Sequence, residues 1–114
     1  MNQLRILLIG YGNPGRQDDG LGPALADRLE KLEIPSLTVD ADYQLTVEDA
    51  KAVADHDVAI FADAAIQGTE PFFFRQVKPC GMPSHTTHHV EPEEIVALAG
   101  QLFDWHKNAF VLGI

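Results

Sequence analysis

Two adjacent carboxylates, Asp18 and Asp19, sit in the turn GYGNPGRQDDGLG (residues 10–22), which follows directly on the apolar run Leu7-Leu8-Ile9. A glycine-rich turn between a strand and a helix is the usual cradle for phosphate, because backbone N–H groups and the helix N-terminus present positive charge there. Acids at that mouth repel an anion and attract a cation. Two other sets of residues could join them. Asp63 ends the apolar run Val58-Ala59-Ile60-Phe61-Ala62, and His85, His88 and His89 crowd the stretch before Pro92. Two carboxylates and an imidazole, with coordination positions left open, suit a divalent transition metal such as nickel or zinc better than calcium, which prefers oxygen alone.

Each of these residues also has a plainer role open to it. Asp18 could cap the following helix, Asp19 could be a first-turn acid serving the helix dipole, and Asp63 could accept N–H groups of a turn. Histidines in a polar loop are usually solvated, and His89 rivals His88. His56, between Asp55 and Asp57, reads as a surface residue before a strand, and Cys80 as a loop or packing thiol. Tyr43 and Gln44 could line a groove or simply pack. Gly10 and Gly12 let the chain turn tightly out of the strand, and Asn13 can tie that turn with side-chain hydrogen bonds.

The elements that must position these groups alternate between strand and helix. Residues 4–9, apolar at every position but Arg5, predict a buried strand. Leu21, Leu25 and Leu29 recur at helical spacing with Ala24 beside them, which predicts an amphipathic helix over 20–32. Ile34-Pro35 ends it, because proline disfavours helix at the preceding residue. A short second strand covers 37–40. Thr46 can cap a helix over roughly 47–55, with Glu48 and Asp49 in its first turn. Residues 58–62 give another central strand, and 72–77 an edge strand, followed by a Pro/Gly/Ser-rich loop over 78–84. Pro92 suits the first turn of a helix that places Ile95, Leu98, Ala99 and Leu102 on one face. Trp105 would pack the end of that helix, and 108–113 is the last strand. The alternation predicts an α/β three-layer sandwich, an open, twisted, mostly parallel sheet of about five strands with helices on both faces. In such sheets ligands bind beyond the carboxyl ends of the strands, so Asp19, Asp63 and His88 could converge there from three separate segments.

Composition narrows the function further. The 114 residues fit one domain, and 46% hydrophobic content supplies one core. A formal charge of −9 argues against nucleic acid and anionic membrane, whose binding rests on Lys and Arg. Neither a transmembrane run nor a signal-peptide pattern is present. A lone cysteine, Cys80, forms no internal disulfide and no cysteine-based zinc site, and the cytoplasm is the compartment that fits. There is no recognisable Ser–His–Asp or Cys–His arrangement and no HExxH helix.

The glycine turn with its paired acids, YQLTVEDA (43–50) leading to IFADAA (60–65), and THHVEPEEIVALA (87–99) together resemble the hydrogenase maturation proteases. Three motifs in order, through nearly the whole chain, carry the resemblance. It implies an endopeptidase that removes the C-terminal extension of a nickel–iron hydrogenase large-subunit precursor. It also implies a twisted, mostly parallel sheet with one antiparallel strand. The family's metal-binding and catalytic positions fall on Asp19, Asp63 and His88, and the nickel they contact is carried by the substrate. The family often has glutamate where Asp19 stands, so the ligand is one methylene shorter here. Members of the family are longer, and this chain stops on the apolar run of residues 109–114, so the expectation is one domain over 1–114 that lacks a C-terminal segment.

Two other functions compete. The string GYGNPG resembles a turn of the peptidyl-tRNA hydrolases, but the histidine–asparagine pair of that family is replaced by Asp18-Asp19-Gly20, and a tRNA substrate calls for a basic surface. A non-enzymatic nucleotide-binding module is the other. Gly10, Gly12 and Gly15 satisfy GxGxxG after a strand, and Asp40 stands where a ribose-binding acid belongs. Against it, Pro14, Arg16 and the paired acids interrupt the passage from glycine to helix.

Overall fold

A computed structural model describes residues 4–11, 21–42, 44–63, 73–79 and 90–113, without the side chains of 21–23, 63 and 73. Along the chain these form β1 (Ile6–Tyr11), α1 (Leu21–Lys31), β2 (Leu37–Asp42), α2 (Asp49–Ala54), β3 (Val58–Asp63), β4 (Phe73–Val77), α3 (Pro92–Phe103) and β5 (Asn108–Gly113). The strands make one sheet in the order β2-β1-β3-β5-β4. All pairs are parallel except β4 with β5, so the expected mostly parallel sheet of five strands, with one antiparallel member at an edge, is what forms.

The continuous apolar runs are explained by burial on both faces. Leu7 and Ile9 of β1, Ala59 and Phe61 of β3, and Ala109 and Val111 of β5 pack with Val53 of α2 and Ile95, Val96 and Ala99 of α3. The alternate residues Leu8 and Ala62 point the other way, against Ala26 of α1, with Leu25, Leu29, Leu37, Val39 and Ile60 around them. Helices therefore cover both faces. β2, at the edge, lacks that double burial and shows polar residues in alternation, with Thr38 and Asp40 exposed.

Three local expectations change. β2 runs on to Asp42, so Asp40 is a mid-strand residue opposite Ile9 rather than a strand end. α2 is shorter than expected and begins at Asp49. Its start is held by the Asp49 carboxylate, which accepts the Thr46 N–H at 2.8 Å, and the preceding residue, Glu48, makes no side-chain cap. On α3, Ile95 and Ala99 are buried but Leu102 is 64% exposed. Asp104 turns the chain out of the helix in the left-handed conformation (φ 57°), and Trp105 is buried in the core cluster. The Trp105 indole N–H donates to the His56 carbonyl at 2.7 Å, which fixes the helix end as expected.

Candidate active site

Strand register decides which residues share the carboxyl edge of the sheet. Tyr11 pairs with Asp42 on one side and with Asp63 on the other, Asp63 pairs with Gly113, and Gly113 pairs with Phe73. Asp42, Tyr11, Asp63, Gly113 and Phe73 thus form one row across all five strands. Neighbours in such a row lie about 4.8 Å apart. β1 and β3 end in this row and β4 begins in it, with Asp63 and Phe73 flanking Gly113.

α3 rises toward the same edge. Its C-terminal end hands over, through residues 104–107, to Asn108, which pairs with Val58 at the opposite edge. Twelve residues of helix then run back toward the row for about 18 Å. The first turn is tied to β4, where the Arg75 guanidinium meets Glu93 at 3.2 Å. Val90, just before the helix, packs on the same core cluster as Tyr11.

Of the residues singled out from the sequence, Asp63 closes β3 in the row, beside the last residue of β1, as the end of its apolar run indicated. Asp18, Asp19, His85, His88, His89, Cys80 and Tyr43 lie outside the described residues. Among the described residues there is no group of three or more His, Cys, Asp or Glu that could hold a metal. Gln44 is exposed. His56 is half-buried rather than superficial, because its Nδ1 lies 2.6 Å from the Ala52 carbonyl and its own carbonyl accepts Trp105.

The sequence reasoning missed an acidic pair at this edge. Asp42, ending β2, and Asp49, opening α2, lie close enough for their carboxyl groups to influence each other's ionisation. Burial comes first in raising the pKa of Asp42, followed by the charges of Asp49 and Asp40. Burial also raises that of Asp49, with Asp40 and Glu48 adding to it and the Thr46 N–H opposing. Burial and neighbouring like charges both disfavour ionisation, so the two aspartates hold their protons to higher pH than isolated aspartates do. The spacing Thr46-x-x-Asp49 was the available signal, since it matches a helix-start box. Its partner, Asp42, could be found only through the fold.

The opposite edge is held differently. Asp57 accepts the Arg5 N–H at 2.9 Å and Lys107 Nζ at 2.7 Å. These contacts hold its carboxyl below the usual range, Lys107 contributing most.

No protein-family model and no curated protein matches the chain. Among solved structures, it is similar to a NiFe hydrogenase maturation protease, HycI, from Thermococcus kodakarensis, with TM-score 0.71 and 22% identity over 96% of this chain and 72% of that one. A hydrogenase 2 maturation peptidase from a Thaumarchaeota archaeon gives TM-score 0.63 and 22% identity, over 96% of this chain and 77% of that one. The hydrogenase maturating endopeptidase HybD of E. coli gives TM-score 0.60 and 19% identity, over 97% of this chain and 74% of that one. The chain shares the fold of these three proteins.

Proposed function

We propose that this protein is a peptide hydrolase, an endopeptidase that removes the C-terminal extension of a nickel-loaded precursor of a nickel–iron hydrogenase large subunit. The observation that carries this is the row at the carboxyl edge, on a fold shared with three solved maturation proteases. In that row Asp63 stands next to Tyr11, the residue from which the segment bearing Asp19 departs. α3, which follows the segment bearing His88, rises toward the same edge. Asp19, Asp63 and His88 would contact nickel that the precursor already carries. The metal then serves as template and readout, because only a loaded precursor seats its scissile bond at the edge, where water is added across it. Acidic composition supports a cationic target over a phosphate-bearing one, and the single cysteine fits the cytoplasm. No helix among the described residues is long and apolar enough to cross a membrane.

The test is cleavage of nickel-loaded and nickel-free precursor, followed by mass spectrometry of the product. Loaded precursor should lose its extension and nickel-free precursor should not. Asp19→Ala, Asp63→Ala and His88→Ala should each abolish processing while leaving the circular dichroism spectrum and Tm close to those of the wild type. Normal cleavage by all three variants, or equal cleavage of the two precursors, would refute the assignment.

A further inference from the structure

The two edges of the sheet are built differently. β2 shows Thr38 and Asp40 to solvent and ends on Asp42, so a further strand laid against it would meet carboxylates. β4, at the other edge, reads Phe73-Phe74-Arg75-Gln76-Val77, with no acid and no proline, and its register on β5 runs without a bulge. Its one charge, on Arg75, is engaged by Glu93 at 3.2 Å. Phe74 is 53% exposed, and its ring stacks on Phe110 with centroids 4.9 Å apart. Among the described residues β4 pairs with β5 alone. Alternate residues of an antiparallel strand direct their N–H and C=O groups at the partner, so every second residue of β4 turns those groups outward. An edge without repelling charge, proline or bulge is a template for another strand.

The place of this edge points to what it holds. Phe73 opens β4 in the row at the carboxyl edge, separated from the end of β3 only by Gly113 of β5. A strand added outside β4 would lie three strand spacings from β3, about 14 Å at the level of the row. An extended chain crosses that distance in about four residues. A peptide held on β4 can therefore turn over the carboxyl edge and bring a bond to the end of β3. On the face of Phe74, a side chain opposite it would prolong the Phe110–Phe74 row, which favours an apolar or aromatic residue there. A second copy of this chain is a poorer occupant, since two domains of charge −9 repel one another.

We propose that β4 binds the C-terminal segment of the precursor as an added strand, with an apolar side chain over Phe74, and so delivers the scissile bond to the row. This rests on the function proposed above. Main-chain hydrogen bonds to β4 supply affinity, and the Phe74–Phe110 ledge supplies the side-chain preference.

The experiment follows amide hydrogen exchange by NMR in the wild type, with and without a synthetic peptide covering the precursor's extension and the residues before it. Alternate amides of β4 should gain protection, those of β2 should not, and the peptide should compete with precursor cleavage. Phe74→Ala should raise KM for nickel-loaded precursor about 5-fold with kcat unchanged, the loss of one good cross-strand contact. If Phe74→Ala fails to fold, Phe74→Thr, which keeps β propensity, should show the same rise. Absence of protection on β4, or an unchanged KM in the folded variant, overturns strand addition alone while the wild type still cleaves. Protection of β4 that appears without peptide and grows with protein concentration assigns the edge to a second copy and also overturns it. A wild type that leaves nickel-loaded precursor intact overturns it together with the proposed function.

Discussion

Replacing Asp49 by asparagine should make this protein more stable at neutral pH, although it alters a buried, hydrogen-bonded residue. Asp49 is 8% exposed and accepts the Thr46 N–H at 2.8 Å. Asparagine keeps an oxygen for that donor and brings an amide N–H for the Asp42 carboxylate. What disappears is repulsion among Asp42, Asp49, Asp40 and Glu48, which lie together at the β2–α2 junction. Two carboxylates about 4 Å apart repel by about 4 kcal/mol at an effective dielectric of 20. Solvent screening at the partly exposed Asp42 reduces this to about 1 kcal/mol, or about 4 °C in Tm for a domain of this size. The pH dependence supplies the sharper test. Asp42 and Asp49 have folded-state pKa values raised above the ordinary 3.8, so the folded protein holds protons that the unfolded chain has released. Their contribution is therefore fully favourable below about 3.8 and is lost as pH rises through the raised values. Thermal unfolding of wild type and Asp49→Asn should differ most near pH 7 and converge toward pH 4. An Asp49→Asn protein no more stable than wild type at pH 7, or a difference that stays constant across that range, would show that these acids do not repel one another in the folded protein. Asp49→Ala separates the terms, since it relieves the same repulsion but abandons the Thr46 N–H, and it should fall below Asp49→Asn by about 1 kcal/mol.

Two further substitutions probe other parts of the frame. Asp57→Asn keeps an acceptor for the Arg5 N–H but loses the ion pair with Lys107, so it should lower Tm at pH 7. Because the pKa of Asp57 is depressed, its stabilisation is present above about 3.8 and vanishes as pH falls through the folded value, so denaturation curves of the two proteins should converge in acid. Asp104→Gly should raise Tm by about 4 °C, since a left-handed position at φ 57° favours glycine by about 1 kcal/mol and the exposed Asp104–His106 pair lost in exchange contributes little. A lower Tm for Asp104→Gly would mean that the His106 contact outweighs the backbone.

The apolar runs Leu7-Leu8-Ile9 and Val58 to Ala62 carry most of the fold, because only strands covered on both faces are apolar at every position, and that already demands helices above and below. The edge position of β4 was legible for the converse reason: Phe74, Arg75 and Gln76 are exposed and lack the double-face pattern. Helix ends were less legible, because they depend on contacts remote in sequence. Leu102 has the spacing of a buried residue but is exposed, while Trp105 packs in the core and donates to a carbonyl 49 residues away. Likewise the start of α2 reads as a threonine cap, whereas the carboxylate of Asp49 organises it, near the acids of another strand.

The candidate site depends on register more than on any single side chain, and register is where the sequence alone says least. A slip of one residue in β3 would take Asp63 out of register with Tyr11 and Gly113. Hydrophobicity opposes such a slip only weakly, because β3 is apolar on both faces. Size opposes it more, since Phe61 fills the α2–α3 side and Ala62 fits under Ala26. The firmest restraint lies at the far edge. Asp57 stands one residue before β3 and takes hydrogen bonds from Arg5, one residue before β1, and from Lys107, one residue before β5. One carboxylate therefore aligns the starts of three parallel strands of equal length, and that alignment brings Tyr11, Asp63 and Gly113 level at the other end. An acid about 20 Å from the row, judged by the rise of a strand, thus helps to place Asp63, which the proposed chemistry needs.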